Sequence, residues 1–441
     1  MNWFLALPLS ARTAIVFLAG LLIAGQINRG IYRLAWNPRL IGPWSKRHDD
    51  APPRKWWDRI PVVGWFGLMR EEKVHGTLYW FRPLAIEIAF AAGLAMLYQW
   101  EDAGSFNDWR QLGFRIPFIG ASWIHAQFLS HVVLLSLMMV ATFIDFDEKT
   151  IPDSITIPGT AIGLLLATFL PWSMPSTFSF VPIVPAPAGG AQYKAVTDVL
   201  WLSMPQPWPA WLNGVWGLVI GLVVIIAWWY ALLPKRLTMR FGMGAAVKLL
   251  TRSIVRSRDS WNLTLFLLLP GLSYVVAVWC WGRGGLQWQG LLTGLIGLAF
   301  GGGLVWAFRV VASWALQQEA LGFGDVTLMA MIGTYFGWQA SLLIFFLAPF
   351  AGAVVGVLQW LTTRKHEIAY GPYLCVATVF LMLGWVPIWG KPIFGGAPAF
   401  DYFDILGIYI PVGLLLCLVA MAAMLSVWFR IKRKLLGSEE V

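Results

Sequence analysis

The chain is built from long apolar runs that alternate with short polar segments. A helix needs about 20 apolar residues to cross the hydrocarbon core of a bilayer, and most of these runs approach that length. Strands of a membrane barrel would instead alternate apolar and polar residues over about 10 positions, which these runs do not. We therefore predict an all-α, polytopic transmembrane helical bundle with about 10–11 membrane helices. The runs lie near residues 12–27, 83–99, 126–146, 155–172, 211–233, 262–281, 288–314, 326–337, 339–361, 371–388 and 405–428.

The composition excludes a large soluble enzyme. Charged residues make up 12% of the chain, whereas about 25% is usual for a soluble domain. The chain has 32 Lys and Arg residues against 22 Asp and Glu, a net charge of +10. In a membrane protein this excess indicates cytoplasmic loops beside anionic lipids. We therefore expect membrane lipids and no nucleic acid as partners.

The orientation follows from four segments in which the basic residues are concentrated. The positive-inside rule places all four in the cytoplasm, so the amino terminus lies outside and the carboxyl terminus inside. The first apolar run is not followed by a signal-peptide cleavage site and is expected to remain as a helix. The proline-rich segment 173–208 then lies outside. The basic segments are residues 29–82, 235–258, 363–366 and 430–434.

Two acidic segments come to the cytoplasmic face in this topology. Residues 144–153 follow one apolar run, and residues 321–325, which contain a GxGD motif, follow another. A carboxylate that faces the interior of a bundle is costly unless it is paired or hydrated, and it is therefore a functional candidate. Two such carboxylates at one depth can share a proton, so that one acts as an acid while the other activates water. For either segment alone, an ordinary solvated turn is the better interpretation, and the two segments on one membrane face favour the functional one.

Six segments match motifs of one membrane-protein family, in that family's order. They are residues 28–34 (N-x-x-I-Y-R-L), 58–65 (N-I-P-V-x-S-W), 82–87 (R-Y-P-L-V-E), 145–158 (I-P-D-x-x-T-x-P and the aspartate before it), 322–325 with 337–339, and 368–374 (I-P-F-G-P-F-L). The chain thereby resembles the type IV prepilin peptidase family, which are membrane aspartyl proteases with a GxGD motif. Together the six segments extend through most of the chain.

The resemblance implies that Asp145 and Asp325 form the catalytic pair. Asp147 remains an alternative to Asp145, because both belong to the same Asp-Phe-Asp sequence. Further positions match the family without a defined chemical role. The residues that support the catalytic motifs are Gly322, Gly324, Asp147 and Asp153. The residues expected to contact substrate or to be structural are Arg82, Glu87, Gly371 and Pro372. Arg82 and Glu87 are candidates for a buried ion pair.

The resemblance also implies a substrate, a location and a cofactor. The substrate is a prepilin or pseudopilin with a short basic leader, a glycine at the scissile bond and an apolar helix, cut at the cytoplasmic face of the inner membrane. Proteolysis needs no cofactor, and S-adenosylmethionine is implied only if the family's second activity, N-methylation, is present. Family members often carry two CxxC pairs in the loop after the first helix, but residues 39–82 contain no cysteine. His48 and His75 alone make a poor zinc site, so we expect no metal.

The chain also shows a repeat with a spacing of about 80 residues, which is typical of an internal duplication of a helix pair. Gly214, Gly217 and Gly221 recur as Gly294, Gly297 and Gly301, and Ala245 stands where Asp325 stands in the second copy. Residues 247–256 are too basic to cross the membrane and predict a helix on its surface. The alternative is a chance match among glycine-rich helices. The predicted units are residues 1–100, 101–173, 174–210, 211–281, 282–362 and 363–441.

Three other functional classes remain alternatives at this point. A presenilin-like protease also uses GxGD, but its Tyr-Asp and Pro-Ala-Leu motifs correspond poorly to Ile144-Asp145 and Ala348-Pro349-Phe350. A transporter could couple protons through an Asp pair, although its carboxylates would lie near the middle of the membrane. An inactive relative could serve as an assembly scaffold for a secretion machine.

Overall fold

We describe the chain from a computed structural model that covers all residues except 1, 40, 105, 107, 110–119, 183–192, 233–259, 317–320, 364–369, 393–397, 408 and 437–441. Ten helices in the described part of the chain overlap all the predicted apolar runs, which confirms an all-α polytopic protein. They are α1 (Leu9–Leu34), α2 (Phe81–Asp102), α3 (Ala121–Glu148), α4 (Asp153–Phe169), α5 (Val215–Leu232), α6 (Ser260–Arg283), α7 (Gly285–Leu316), α8 (Phe323–Thr363), α9 (Gly371–Leu383) and α10 (Tyr409–Leu436).

Seven helices in the described part of the chain are long and apolar enough to cross a membrane, and α4 and α9 are shorter apolar helices. The structure has fewer such helices than the sequence has predicted apolar runs. One reason is that the runs 326–337 and 339–361 join in α8. Their junction is Gly337, whose φ of 77° and ψ of 178° interrupt the helix. An L-residue with a side chain rarely adopts this backbone conformation. The chain is therefore a multi-pass membrane protein with one broken helix.

The segment predicted as an external proline-rich loop contains a two-stranded hairpin. Strand β1 (Ser176–Pro182) pairs antiparallel with β2 (Tyr193–Val199). Alternating Thr, Phe and Val residues favour this pairing. The hairpin packs just beyond the carboxyl end of α9, where Trp385 Nε1 donates a hydrogen bond of 2.7 Å to the Ser176 carbonyl oxygen. Strand β1 therefore lies at the opposite end of the bundle from the residues that begin α9.

Close backbone packing holds the first half of α8 in the centre of the bundle. A Cβ atom on Gly297 of α7 would lie 2.0 Å from the carbonyl oxygen of Gly333, so only glycine permits this approach. On the other side, Gly159 and Gly163 of α4 lie against side chains of α8, namely those of Met331, Thr334 and Tyr335. Small residues at helix crossings allow such contact in membranes. This packing fixes the position of Asp325, in the first turn of α8.

The predicted duplication corresponds to two helix pairs, α5 with α6 and α7 with α8. Helices α5, α6 and α7 share a small apolar core that includes Leu212, Ala277 and Trp288. The segment between α5 and α6, with Ala245 and the predicted surface helix, lies outside the described residues. The duplication and the division into six units therefore stay predictions.

Candidate active site

Two carboxylates converge at one end of the bundle. Asp145 lies in the last turn of α3 and Asp325 in the first turn of α8, and their residues are only 5% and 7% exposed. Both face the space beside Gly371, where a Cβ atom would lie 2.7 Å from Asp145 Oδ2 and 3.3 Å from Asp325 Oδ1. The distance between Asp145 Oδ2 and Asp325 Oδ1 therefore cannot exceed the sum of these two distances. Two buried carboxylates this close disfavour simultaneous ionisation, so they can share one proton.

Asp147 does not join this pair. Its carboxylate accepts hydrogen bonds of 2.9 and 3.0 Å from Arg82 Nη1 of α2. Residues two positions apart on a helix point in nearly opposite directions, which separates Asp147 from Asp145. The buried ion pair considered for Arg82 and Glu87 does not form, because Arg82 is paired with Asp147 on a partly exposed surface.

The two glycines of the GxGD motif have different steric environments. A Cβ atom on Gly324 would lie 2.8 Å from Ile151 Cβ and 3.1 Å from the Ile151 backbone nitrogen. A Cβ atom on Gly322 would meet nothing closer than Asp325 Oδ2, at 3.6 Å. Gly324 therefore allows the chain after α3 to pass directly against the start of α8. Gly322 contributes its backbone N–H, which donates to Asp325.

The residues at the start of α9 lie beside both carboxylates. Pro372 lies in the first turn of α9, where its missing N–H removes no helical hydrogen bond. The backbone N–H of Gly371 donates to Asp145. The neighbouring Tyr370 lines the same cavity, and burial together with the Asp325 carboxylate raises the pKa of its hydroxyl. Tyr370 is therefore a protonated donor at neutral pH.

A cavity of about 630 Å³ surrounds the two carboxylates. It is large enough for an extended peptide segment to enter. Asp153, at the start of α4, lies on its exposed rim, and the end of α1 forms the opposite wall. Its lining residues are Leu34, Ala35, Trp36, Asp145, Lys149, Thr150, Ile151, Pro152, Asp153, Ser154, Leu321, Gly322, Phe323, Gly324, Asp325 and Tyr370.

Sequence comparisons give one consistent result for the part of the chain that contains Asp325. The profile of the Type IV leader peptidase family matches residues 259–357. The prepilin leader peptidase/N-methyltransferase of Aeromonas salmonicida (strain A449) is 33% identical over 127 residues, which cover 24% of this chain and 40% of that relative. Residues 259–357 are thus similar to the type IV leader peptidase family.

Two further relatives in this family carry the same name. The protein of Pseudomonas aeruginosa is 35% identical over 104 residues, which cover 22% of this chain and 33% of the relative. That of Pseudomonas putida is 28% identical over 178 residues, covering 39% and 57%. The chain thus spans about two fifths of the length of the first leader peptidase named above. No solved structure matches the chain.

The sequence analysis missed one residue near the two buried carboxylates. Arg309 of α7 donates a hydrogen bond of 2.7 Å to the carbonyl oxygen of Leu321, and its charge acts on Asp325. It therefore fixes the turn that precedes α8. The sequence did contain a signal for it, because Arg309 is the one charged residue within the apolar run 288–314. Charged residues inside membrane helices are usually functional.

The loop in which many family members carry zinc-binding cysteines is held here by ion pairs. Arg54 donates two hydrogen bonds, of 2.7 and 2.9 Å, to the buried Glu71, and Arg70 pairs with the buried Asp58. The Glu71 carboxylate raises the pKa of Arg54. Within the residues that the structure describes, no three His, Cys, Asp or Glu side chains form a metal-binding group.

Adding a methyl group at Gly371 should disrupt this site. In Gly371→Ala the new Cβ would lie 2.7 Å from both Asp145 Oδ2 and Ile151 Cδ1, so the carboxylate must move. We expect a loss of at least about 100-fold in kcat/KM for leader cleavage, because small displacements of reacting groups are this costly. Gly413→Ala in α10, where a Cβ meets nothing within 4 Å, is the control. Equal activity of both variants would contradict the placement of Gly371.

Proposed function

We propose that the chain is a membrane aspartic endopeptidase that cleaves the basic leader from type IV prepilin-like or pseudopilin proteins at the cytoplasmic face of the membrane. The observation that carries this proposal is the convergence of two buried carboxylates, Asp145 and Asp325, beside Gly371. Because its relatives are named as both peptidases and N-methyltransferases, we extend the proposal to methylation of the new amino terminus.

Hydrolysis by this pair requires one water molecule and one shared proton. The ionised carboxylate accepts a proton from the water, whose oxygen attacks the carbonyl carbon of the scissile peptide bond. The protonated carboxylate donates its proton to the carbonyl oxygen. Breaking the C–N bond then releases an amine that takes up one proton from the pair. A hydroxyl of the tetrahedral intermediate returns one proton to the pair as the new carboxyl group forms, so the pair again holds one shared proton. Tyr370 is placed to hydrogen-bond the polarised carbonyl oxygen.

The position of the pair supports cleavage at an interface rather than transport. Asp145 and Asp325 lie at the ends of α3 and α8, whereas carboxylates that couple transport lie near the middle of a membrane helix. The apolar helix of a prepilin would then lie laterally in the bilayer with its leader at the cavity. Asp153 on the cavity rim would attract the positive charges of the leader.

The proposal is tested with the purified full-length chain and a prepilin-type peptide that contains a basic leader, the scissile glycine and an apolar helix. We expect mass spectrometry to detect cleavage before the helix, and Asp325→Asn to reduce the rate at least about 1,000-fold. Asp401→Asn, in the short helix Ala399–Leu406, is the control. Full cleavage by the Asp325→Asn variant would rule out this mechanism.

A further inference from the structure

The loop between α1 and α2, residues 35–80, exposes aromatic side chains and buries charged ones. Trp56 is 73% exposed and Phe66 is 56% exposed, whereas Asp58 and Glu71 are 0% and 1% exposed. A domain surrounded by water usually arranges these residue types the other way round, because burying a charge is costly and exposing an aromatic ring forgoes hydrophobic stabilisation. The loop therefore suits an environment that is less polar than water.

The buried charges are paired inside the loop and fix its backbone. Arg54 pairs with Glu71, and Arg70 pairs with Asp58. The Asp58 carboxylate also accepts a hydrogen bond of 2.6 Å from the backbone N–H of Lys55. Breaking such buried pairs is costly, since it leaves a buried charge without a partner. The exposure of the aromatic rings is therefore a property of the folded loop.

The exposed rings form one surface. The ring centroids of Trp56 and Trp57 lie 5.8 Å apart. A Cβ atom on Gly67 would lie 3.7 Å from Trp57 Cδ1, so Trp57 packs against the residue that follows Phe66. We call the exposed side chains of this series, together with one at the start of α2, the apolar loop surface. It consists of Trp56, Trp57, Phe66 and Phe81.

The apolar loop surface continues into the exposed side of α2. The ring of Phe66 lies 6.4 Å from that of Trp80, which lies 6.2 Å from that of Phe81, the first residue of α2. Ile88 is also exposed and lies two helical turns farther along this helix. Because α2 is long and apolar enough to cross a membrane, its exposed apolar side chains contact lipid. The apolar loop surface therefore adjoins a surface that lipid already covers.

Basic side chains border the apolar loop surface. Lys55 Nζ lies 4.6 Å from the ring centroid of Trp57, and the Arg59 guanidinium lies 5.2 Å from that of Trp44. None of the ion pairs of the described residues in this loop includes Lys55 or Arg59. Indole rings are enriched at the level of lipid headgroups, and lysine and arginine near that level are attracted to anionic lipids.

We propose that the apolar loop surface inserts into the lipid leaflet beside α2, with Lys55 and Arg59 at the level of the lipid phosphates. A lipid leaflet is the occupant that the structure favours, because the loop is attached at both ends to membrane helices and its exposed rings continue into one of them. Interfacial segments of this kind enter the leaflet by roughly 5–10 Å. The charge distribution predicts that this leaflet is the cytoplasmic one. The proposal does not depend on leader cleavage.

Nitroxide labels on the full-length chain in lipid nanodiscs that contain phosphatidylglycerol test this proposal. Cys417→Ser removes an exposed thiol, and Cys280 and Cys375 are buried. Trp56→Cys and Phe66→Cys are then labelled one at a time. Because a water-soluble nickel chelate is excluded from hydrocarbon and molecular oxygen is concentrated there, we expect nickel to relax both labels at least about 5-fold less than a label in water, and oxygen to relax them more.

Asp50→Cys in the same background is the matched control, because Asp50 is an exposed acidic residue of the same loop. Its label should be relaxed by nickel as a label in water is. Adding Lys55→Gln and Arg59→Gln to Trp56→Cys should increase nickel access about 2-fold or more, since it removes the attraction to anionic headgroups. Equal nickel access at positions 50, 56 and 66 would overturn the proposal, including the case in which positions 56 and 66 become shielded only after a cytoplasmic protein is added.

A second measurement needs no substitution in the chain. The wild-type protein is reconstituted with a phospholipid that carries a photoreactive diazirine near the glycerol end of its acyl chain, irradiated and digested. We expect mass spectrometry to find lipid adducts on residues 56–66 and none on residues 46–51. Adducts confined to the membrane helices would overturn the proposal, whether or not the protein cleaves a prepilin-type peptide.

Discussion

We expect replacement of Asp145 by asparagine to abolish the proposed leader cleavage, and replacement of Asp147 by asparagine to reduce it far less. Asp145 faces Asp325 beside Gly371, and Asp147 is bonded to Arg82 on another side of α3. An amide at position 145 cannot take up the proton of water, so we expect kcat/KM to fall at least about 1,000-fold. For Asp147→Asn we expect a loss of less than about 10-fold. Both values come from cleavage of the same prepilin-type peptide.

Arg82→Gln provides the control for this comparison. This variant removes the other partner of the ion pair that Asp147→Asn also breaks. Because the ion pair is partly exposed, it contributes no more than about 1 kcal/mol to stability. The two variants and their combination should therefore have similar activity and thermal stability. Loss of cleavage in Asp147→Asn with full activity in Asp145→Asn would transfer the catalytic role to Asp147.

A methyl group on Gly324 should abolish the proposed cleavage, whereas one on Gly322 should be tolerated. The new Cβ of Gly324→Ala would lie 2.8 Å from Ile151 Cβ and close to the Ile151 backbone, which cannot move without moving the start of α4. Asp325 would shift with α8, and we expect a loss of at least about 100-fold in kcat/KM. For Gly322→Ala, whose nearest contact is an ordinary 3.6 Å, we expect less than about 5-fold.

Thermal unfolding of the two alanine variants distinguishes a local effect from a failure to fold. Both variants should still unfold cooperatively, while only Gly324→Ala loses cleavage. Equal losses in both would mean that the motif acts through backbone flexibility rather than through the approach of Ile151.

The helical architecture was predictable because burial in a bilayer is recorded in local composition. Apolar runs such as 83–99 and 126–146 correspond closely to α2 and α3. The pairing of β1 with β2 was missed, because its register depends on contacts with Trp385 and other residues distant in the sequence. Carboxylates at the ends of apolar runs marked two acidic segments as candidates, and the resemblance to the family then implied Asp145 and Asp325.

The sequence by itself determined that the chain crosses a membrane many times and which acidic segments are candidates for catalysis. It left open whether Asp145 or Asp147 joins Asp325, and it treated Gly322 and Gly324 as equivalent. Only the tertiary structure separated them. Side-chain direction and the approach of Ile151 or Gly371 depend on packing between helices that lie more than a hundred residues apart, which no local pattern of hydrophobicity or charge records.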